Sequence, residues 1–228
     1  EAIGLYDPAI DAEVIAIADQ GFKNLGLKNY RLEITSLGDA QSRAAHRVDL
    51  MAFIKKLNLD EATAQRAEIN PLRLFDDKRA EMQEAMLKAP LLLDYLSESS
   101  RKSFEQVQSY LRAMNIAFVV NPRMVRGLDY YTRTAWEYLL PGEQGQQGAL
   151  GGGGRYDGLV ELLGGTSTPA IGFAIGIDRV VLALEARGLL PATAAGPAIV
   201  VAGIEPESVA ERVAIAGQLR TSGASARA

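Results

Sequence analysis

Residues 125–134, Val-Arg-Gly-Leu-Asp-Tyr-Tyr-Thr-Arg-Thr, run directly into the apolar segment 134–139, Thr-Ala-Trp-Glu-Tyr-Leu. This segment alternates and is rich in residues that favour strands, so it predicts a β-strand. Side chains of a strand alternate between two faces. If the strand extends backwards, one of its faces carries Arg126, Leu128 and Tyr130. The other face then carries Gly127, Asp129 and Tyr131. A buried core strand does not need an arginine and an aspartate beside two tyrosines. Phenols give a pocket rigid walls with hydrogen-bonding tips, so the stretch predicts a site for a small polar ligand.

A second cluster occupies residues 151–159, Gly-Gly-Gly-Gly-Arg-Tyr-Asp-Gly-Leu. Four consecutive glycines cost backbone entropy, which indicates that another chain segment or a ligand approaches the backbone closely. The known phosphate-binding loops are excluded, because no Gly-Lys-Ser/Thr is present and Tyr156 or Asp157 stands where a dinucleotide motif needs glycine. A flexible hairpin loop is the alternative interpretation.

A third cluster occupies residues 172–182, Gly-Phe-Ala-Ile-Gly-Ile-Asp-Arg-Val-Val-Leu. It predicts an apolar strand that turns at Gly176 into a helix. Asp178 falls in the first turn of that helix, where negative charge is favourable, and Arg179 follows just inside.

These three clusters, in this order, resemble the signatures of histidyl-tRNA synthetases, which are class II aminoacyl-tRNA synthetases. Arg-Gly-Leu-Asp-Tyr-Tyr and Gly-Gly-Arg-Tyr-Asp-Gly-Leu look like the two histidine-specific motifs, and Gly-Phe-Ala-Ile-Gly-Ile-Asp-Arg looks like class II motif 3. The resemblance implies a cytoplasmic, homodimeric histidine–tRNA ligase. It would activate histidine with ATP to histidyl-adenylate and then transfer histidine to the 3′ end of histidine tRNA. It also implies Mg²⁺, whose ligands cannot be identified in the sequence.

The resemblance assigns a role to each candidate site residue. Arg126 would be the catalytic cation that contacts ATP, and its planar fork suits anionic oxygens; an ion pair with Asp129 is the alternative. Histidine would be bound by Glu1, Tyr130, Tyr131, Gly153, Gly154 and Tyr156. The tyrosines could instead be core residues. Arg179 would contact ATP, with a helix-start ion pair as the alternative. Asp129 and Asp157 could orient the neighbouring arginines.

The resemblance predicts an α+β fold, with a mostly antiparallel class II sheet flanked by helices. Residues 1–47 and 116–187 would form the two parts of the catalytic core. Residues 48–115 contain no glycine and repeat apolar residues at helical spacing, which predicts a helical insertion. Residues 188–197 are interrupted by glycine and proline, which predicts a linker. The resemblance assigns residues 198–228 to the start of an α/β anticodon-binding domain. By this resemblance, motif 1, most of motif 2 and most of that domain would lie outside the 228 residues, so we expect these residues alone to be inactive.

Composition excludes several other classes of protein. The chain has no cysteine and one histidine, which excludes disulfides, a Cys/His zinc site and a thiol nucleophile. His46 lies in a charged run and is expected on a solvated helix face. No apolar run approaches the roughly 18 residues of a membrane span, so we expect no membrane partner. Two rival functions stay open: the histidine-binding, synthetase-like regulatory subunit of ATP phosphoribosyltransferase, and a degenerate synthetase-like domain of a signalling protein.

Overall fold

The computed structural model describes residues 1–127, 130–141, 148–190, 199–203, 205 and 208–227. The chain divides into two compact units, Glu1–Arg187 and Gly188–Ala228. Each unit is described by itself below.

The first unit is built on a six-stranded sheet. Its strands are β1 (Ala2–Ile3), β2 (Arg31–Ser36), β3 (Val119–Val120), β4 (Thr132–Leu139), β5 (Ala149–Arg155) and β6 (Ala170–Ile175). Their order in the sheet is β1-β6-β5-β4-β2-β3. All neighbours pair antiparallel except β2 and β3, which pair parallel. The prediction of a mostly antiparallel sheet flanked by helices is confirmed.

One face of this sheet is covered by two helices, α1 (Pro8–Asn24) and α5 (Glu98–Ala113), which pack on each other. Trp136 and Tyr138 of β4 are buried in the core between this face and the helices. The Tyr138 hydroxyl donates a hydrogen bond to the Ile15 carbonyl at 2.8 Å. A core tyrosine needs such a partner for its polar tip, so this bond fixes α1 against β4.

A second apolar cluster lies among the helices between β2 and α5. These helices are α2 (Ala40–Ile54), α3 (Glu61–Ile69), a 3₁₀ helix (Pro71–Asp76), α4 (Ala80–Met86) and a second 3₁₀ helix (Leu92–Tyr95). The cluster is formed by Leu50, Ile54, Ala67, Leu74, Met82, Met86 and Ala89. Every regular element described between 48 and 115 is helical, as predicted. The division of the chain at 48 and 115 remains a prediction. The packing favours an insertion that ends before α5, because the buried residues of α5 belong to the sheet core.

The helix α2 begins at an N-cap that joins two parts of the chain, the start of α2 and the start of α5. Asp39 accepts hydrogen bonds from the backbone and the side chain of Ser42, at 2.8 and 2.7 Å. Its other carboxylate oxygen accepts from the hydroxyls of Ser97 and Ser100 at the start of α5. Burial alone would raise the pKa of Asp39, but the hydrogen bonds from the three serines outweigh it and hold this pKa well below its ordinary value.

Replacing Asp39 with alanine should therefore destabilise the fold in a pH-dependent way. Near neutral pH we expect a loss of about 0.5–2 kcal/mol, as for other N-caps. Because the folded-state pKa is depressed, the contribution of Asp39 is present above the unfolded pKa of about 4 and is lost as the pH falls below it. The difference between wild type and variant, measured by thermal unfolding at pH 7 and pH 3, should shrink at pH 3. Asp178→Ala, an exposed first-turn aspartate of another helix, is the matched control; a difference that is equal at both pH values would contradict the prediction.

Three features differ from the sequence interpretation. The strand starts at Thr132, so Arg126 and Tyr131 lie in the segment before it and do not alternate as strand residues; Leu128 and Asp129 lie outside the described residues. Arg133 has a φ of 50° beside a break in the register between β4 and β5. His46 is buried, not solvated: it is 2% exposed, and its Nε2 lies 2.8 Å from the carbonyl oxygen of Pro90.

The remaining helices of the first unit flank β6. They are α6 (Leu159–Leu162) and α7 (Ile177–Glu185). The predicted turn at Gly176 is confirmed, since this glycine is the N-cap of α7.

The second unit contains two short parallel strands and one helix. They are β7 (Ile199–Val200), α8 (Val209–Thr221) and β8 (Ala226–Arg227). A strand followed by a helix is compatible with the start of an α/β domain. The assignment of this unit to an anticodon-binding domain remains a prediction. Most of the predicted linker, residues 191–197, lies outside the described residues. Across the parts of both units that the structure describes, no helix combines the length and the hydropathy that a membrane crossing requires.

Candidate functional site

Three tyrosines and a glutamate come together on one side of the sheet. The ring of Tyr130 lies 5.0 Å from the ring of Tyr131 and 5.9 Å from that of Tyr156, measured between centroids. The Tyr156 hydroxyl donates to a carboxylate oxygen of Glu1, although 155 positions separate the two residues. Tyr131 is 7% exposed and packs against Leu37, Leu92 and Ala135. The sequence-predicted aromatic cluster therefore exists, and we call Glu1, Tyr130, Tyr131 and Tyr156 the tyrosine site.

The glycine run forms the interior of strand β5, not a hairpin loop. A β-carbon on Gly154 would lie 2.6 Å from the Tyr131 ring, and one on Gly152 would lie 3.0 Å from the Arg126 guanidinium. The glycines at alternate positions, Gly151 and Gly153, pair with Tyr138 and Trp136 of the core. Successive residues of a strand face opposite sides. The structure therefore places Gly154 and Gly152 toward the tyrosine site and Gly153 toward the core. This location does not support the assignment of Gly153 to histidine binding.

A third glycine makes room for Glu1. Gly172 of β6 pairs with Gly154 of β5, and a β-carbon at Gly172 would overlap the Glu1 carboxylate. The floor of the tyrosine site is thus bare backbone on two neighbouring strands, as a ligand that lies against the sheet would require.

Replacing Gly154 with alanine should disrupt the tyrosine site. The new methyl group would meet backbone and a packed ring, neither of which can move without disturbing β4, so we expect a loss of about 1–3 kcal/mol of stability, as for other overpacked positions. Gly158→Ala is the matched control, because a β-carbon there meets nothing within 4 Å. Thermal unfolding of both variants measures the difference. Equal transition temperatures for the two variants would show that the contact at Gly154 is relieved easily.

Arg126 is held beside the tyrosine site by a carboxylate of β4. Its Nη1 lies 2.6 Å from Oε1 of Glu137, and both side chains are largely buried, at 18% and 14% exposure. Burial raises the pKa of Glu137 and Arg126 acts in the opposite direction, while the nearby carboxylates of Glu33 and Asp76 raise it further. Arg126 therefore has an ion-pair partner, Glu137, that the sequence did not reveal. Its buried Nε–H has no hydrogen-bond partner among the described residues.

The Tyr131 hydroxyl belongs to the same electrostatic environment. Burial raises the pKa of this phenol, and the nearby guanidinium of Arg126 acts in the opposite direction. Tyr131 is therefore protonated at neutral pH. It can donate a hydrogen bond as well as accept one.

The motif residue Arg155 lies behind the tyrosine site, in a buried ion-pair network. Its side chain is 3% exposed and pairs with Asp11 of α1 and with Asp157, the latter at 2.9 Å. It also donates to the Leu5 carbonyl at 3.2 Å. Burial raises the pKa of Asp11, whereas Arg155 acts to lower it. Asp157 does orient its neighbouring arginine, and the network fixes the end of β5, from which Tyr156 projects, to α1.

Arg179 lies apart from the tyrosine site. It stands in the first turn of α7 and lines a cavity of about 500 Å³ together with Leu140, Pro141, Gly148 and residues between 182 and 187. Its proposed contact with ATP remains a prediction. In the described part of the chain, no three histidine or acidic side chains are grouped so that they could hold a metal ion.

Comparison with known proteins shows which family the chain resembles over most of its length. A family model described as "Histidyl-tRNA synthetase" matches residues 1–180. The chain is 55% identical to the histidine–tRNA ligase of Rhodococcus erythropolis over 223 residues, which are 98% of this chain and 52% of that protein. It is 54% identical to the histidine–tRNA ligase of Corynebacterium diphtheriae over 228 residues, 99% of this chain and 53% of that protein. The chain thus spans about half the length of the curated relatives it matches.

The fold is similar to that of a solved structure. The crystal structure of apo Staphylococcus aureus histidyl-tRNA synthetase superimposes with a TM-score of 0.71 at 34% sequence identity. The match covers 99% of this chain and 56% of that one.

Proposed function

Because the chain belongs to the histidyl-tRNA synthetase family, we propose that it carries most of the catalytic core of a histidine–tRNA ligase. The carboxylate of histidine would displace pyrophosphate from ATP to give histidyl-adenylate, and histidine would then be transferred to the 3′ end of histidine tRNA with release of AMP. The observation that carries this proposal is the tyrosine site with Arg126 beside it, over the glycines of β5. The active protein would be a cytoplasmic homodimer, like the family the sequence resembles.

The tyrosine site is suited to bind the imidazole of histidine. A neutral imidazole has one N–H, which needs an acceptor, and one unprotonated nitrogen, which needs a donor. Glu1 supplies an acceptor and Tyr131 a protonated hydroxyl, and Tyr130 and Tyr156 supply aromatic walls. A site built on such polar groups rejects analogues that lack the matching nitrogen, because a buried polar group would be left without a partner.

Arg126 is suited to the chemical step. The carboxylate of histidine would attack the α-phosphorus of ATP, so negative charge develops on the phosphoryl oxygens and must be stabilised. No general base is needed, because a carboxylate is already ionised at neutral pH. The guanidinium of Arg126 can contact two anionic oxygens at once. Glu137 would hold it in place, which makes Glu137 a positioning residue and Arg126 the catalytic one.

ATP would bind beside Arg126, and Arg179 is proposed as a second contact to it. Mg²⁺ is expected from the family. The described residues do not form a three-ligand site for it.

The proposal is favoured over the regulatory-subunit and signalling alternatives. The curated relatives compared above, at 55% and 54% identity, are both named histidine–tRNA ligase. Arg126, Tyr130, Tyr131 and Glu1 are present and brought together, whereas a degenerate domain has no need to keep them. Charging of histidine tRNA by the full-length protein tests the proposal. A protein that binds histidine but never forms an adenylate would support the regulatory alternative.

Removal of the Tyr131 hydroxyl should weaken histidine binding. Tyr131→Phe keeps the ring that packs on Leu37 and Ala135 but leaves the imidazole without one partner, so we expect a cost of about 1–3 kcal/mol in binding. Isothermal calorimetry with histidine on the full-length protein measures it. Tyr110→Phe, on the exposed side of α5, is the control. Unchanged affinity of the Tyr131 variant would make this residue a packing residue only.

A further inference from the structure

A cavity of about 210 Å³ adjoins the tyrosine site on the side of α2. Tyr131 and Arg126 form one wall, and Arg43, His46 and Arg47 of α2 form another. The cavity is smaller than the roughly 300–1,000 Å³ of sites that enclose a whole small molecule. It therefore has room for one chemical group of a larger ligand, or for a small ion.

The wall contributed by α2 carries two positive charges that are not neutralised. Arg43 and Arg47 are four residues apart, so they lie on the same face of the helix. Arg43 donates to the backbone carbonyl of Tyr131 at 3.2 Å, and Arg47 to that of Glu68 at 2.5 Å. Both partners are uncharged. Within the described residues, neither guanidinium forms an ion pair with a carboxylate, and none of the residues lining the cavity is acidic.

This is unlike the other arginines near the site. Arg126 is paired with Glu137, and Arg155 with Asp11 and Asp157. A cavity whose wall carries two guanidinium groups without a carboxylate partner among the described residues favours a positive potential, and such a potential attracts anions. Each guanidinium uses one donor on a carbonyl, and a guanidinium has five. The remaining donors can hold an oxyanion.

We propose that this cavity binds a phosphate group through Arg43 and Arg47. The planar fork of arginine matches two phosphate oxygens better than a single-point cation does. The proposal rests on the proposed function, which offers two sources of such a group next to Tyr131: a phosphodiester near the 3′ end of the tRNA, or a phosphate of ATP or pyrophosphate. The cavity would then fix the position of that phosphate relative to the bound histidine.

The test uses the full-length protein with Arg43→Gln and Arg47→Gln, singly and together. Glutamine keeps a donor for the backbone carbonyls but removes the charge. Arg43→Lys with Arg47→Lys keeps both the donor and the charge. The control is Arg101→Gln with Arg112→Gln, which removes two exposed charges of α5 outside the cavity. Thermal unfolding first establishes which variants are folded.

Binding of histidine-tRNA transcript and inhibition by pyrophosphate are then measured for each folded variant. If the phosphate comes from tRNA, the double glutamine variant should bind tRNA about tenfold more weakly. The slope of log affinity against log salt should also be smaller by somewhat less than one, as expected for a lost phosphate contact. If it comes from the nucleotide, the inhibition constant of pyrophosphate should rise about tenfold instead. In either case, the value measured for the double lysine variant should be closer to that of the wild type than the value for the double glutamine variant.

Equal tRNA affinity, salt slope and pyrophosphate inhibition in the double glutamine variant and the α5 control would overturn the proposal. Loss of affinity in the lysine variant as large as in the glutamine variant would also overturn it, because the residues would then act through structure and not charge. Binding of the tRNA transcript needs no turnover, and where the wild-type protein has no activity to inhibit, the dissociation constant of pyrophosphate from calorimetry replaces the inhibition constant. A wild-type protein that binds pyrophosphate but does not charge tRNA would therefore fail the proposed function without failing this proposal.

Discussion

Replacing Arg126 with alanine or histidine in the full-length protein should slow histidyl-adenylate formation by about 10²–10³-fold, the usual cost of removing one group that stabilises a developing oxyanion. The affinity for histidine should change little. A cation that acts mainly in the transition state contributes to kcat more than to substrate binding. Histidine-dependent exchange of pyrophosphate into ATP measures the first quantity, and calorimetry measures the second.

A second variant separates catalysis from stability at this position. Alanine at 126 leaves the largely buried Glu137 without its partner at 2.6 Å, and an unpaired buried charge is itself destabilising. Combining Arg126→Ala with Glu137→Gln removes both charges, so the double variant should recover stability while adenylate formation stays slow. Pyrophosphate exchange near the wild-type rate in either variant would refute the catalytic role of Arg126.

Replacing Arg155 with methionine should destabilise the first unit by about 3–5 kcal/mol, the range for breaking a buried ion pair from one side. Asp11, which is fully buried, would lose its charged partner, and the Leu5 carbonyl would lose a donor. Urea unfolding of the 228-residue chain, followed by the fluorescence of its single tryptophan, measures the effect. Trp136 reports on this unit because it is buried in the sheet core.

Arg79→Met is the matched control for the buried network. Arg79 also pairs with two aspartates, Asp60 at 2.9 Å and Asp77 at 2.8 Å, but its side chain is 41% exposed. Ion pairs exposed in this way contribute little to stability, because solvent screens them. The double variant Asp11→Leu with Arg155→Met should lose less stability than the sum of the single variants, since it leaves no unpaired Asp11. Equal losses for Arg155→Met and Arg79→Met would contradict the argument from burial.

The local features of the fold were predictable from the sequence, because neighbouring residues determine them. The alternation of residues 134–139 predicted β4, and Gly176 predicted the turn before α7. The aromatic cluster and Arg126 were identified from their motifs. Their positions next to each other agree with that prediction.

Features that depend on distant partners were not predictable in this way. Arg155 and Asp11 are 144 residues apart, and no local pattern links them. The side of the sheet on which a glycine lies depends on the register between β4 and β5, which is why Gly153 was assigned to the site and Gly152 was missed. His46 was assigned to the surface from its charged neighbours, yet it is covered by the segment around Pro90 and Tyr95.

The pairing of β1 with β6 has a consequence for synthesis of the protein on the ribosome. Ala2 is paired with Ile171, and Glu1 reaches the tyrosine site only beside Gly172. At the usual 5–20 residues per second, roughly 10–35 s would pass between translation of these two strands. Until β6 has emerged, β1 cannot form this pairing, and Glu1 cannot take its place beside Gly172. The tyrosine site would therefore be among the last parts of the first unit to form.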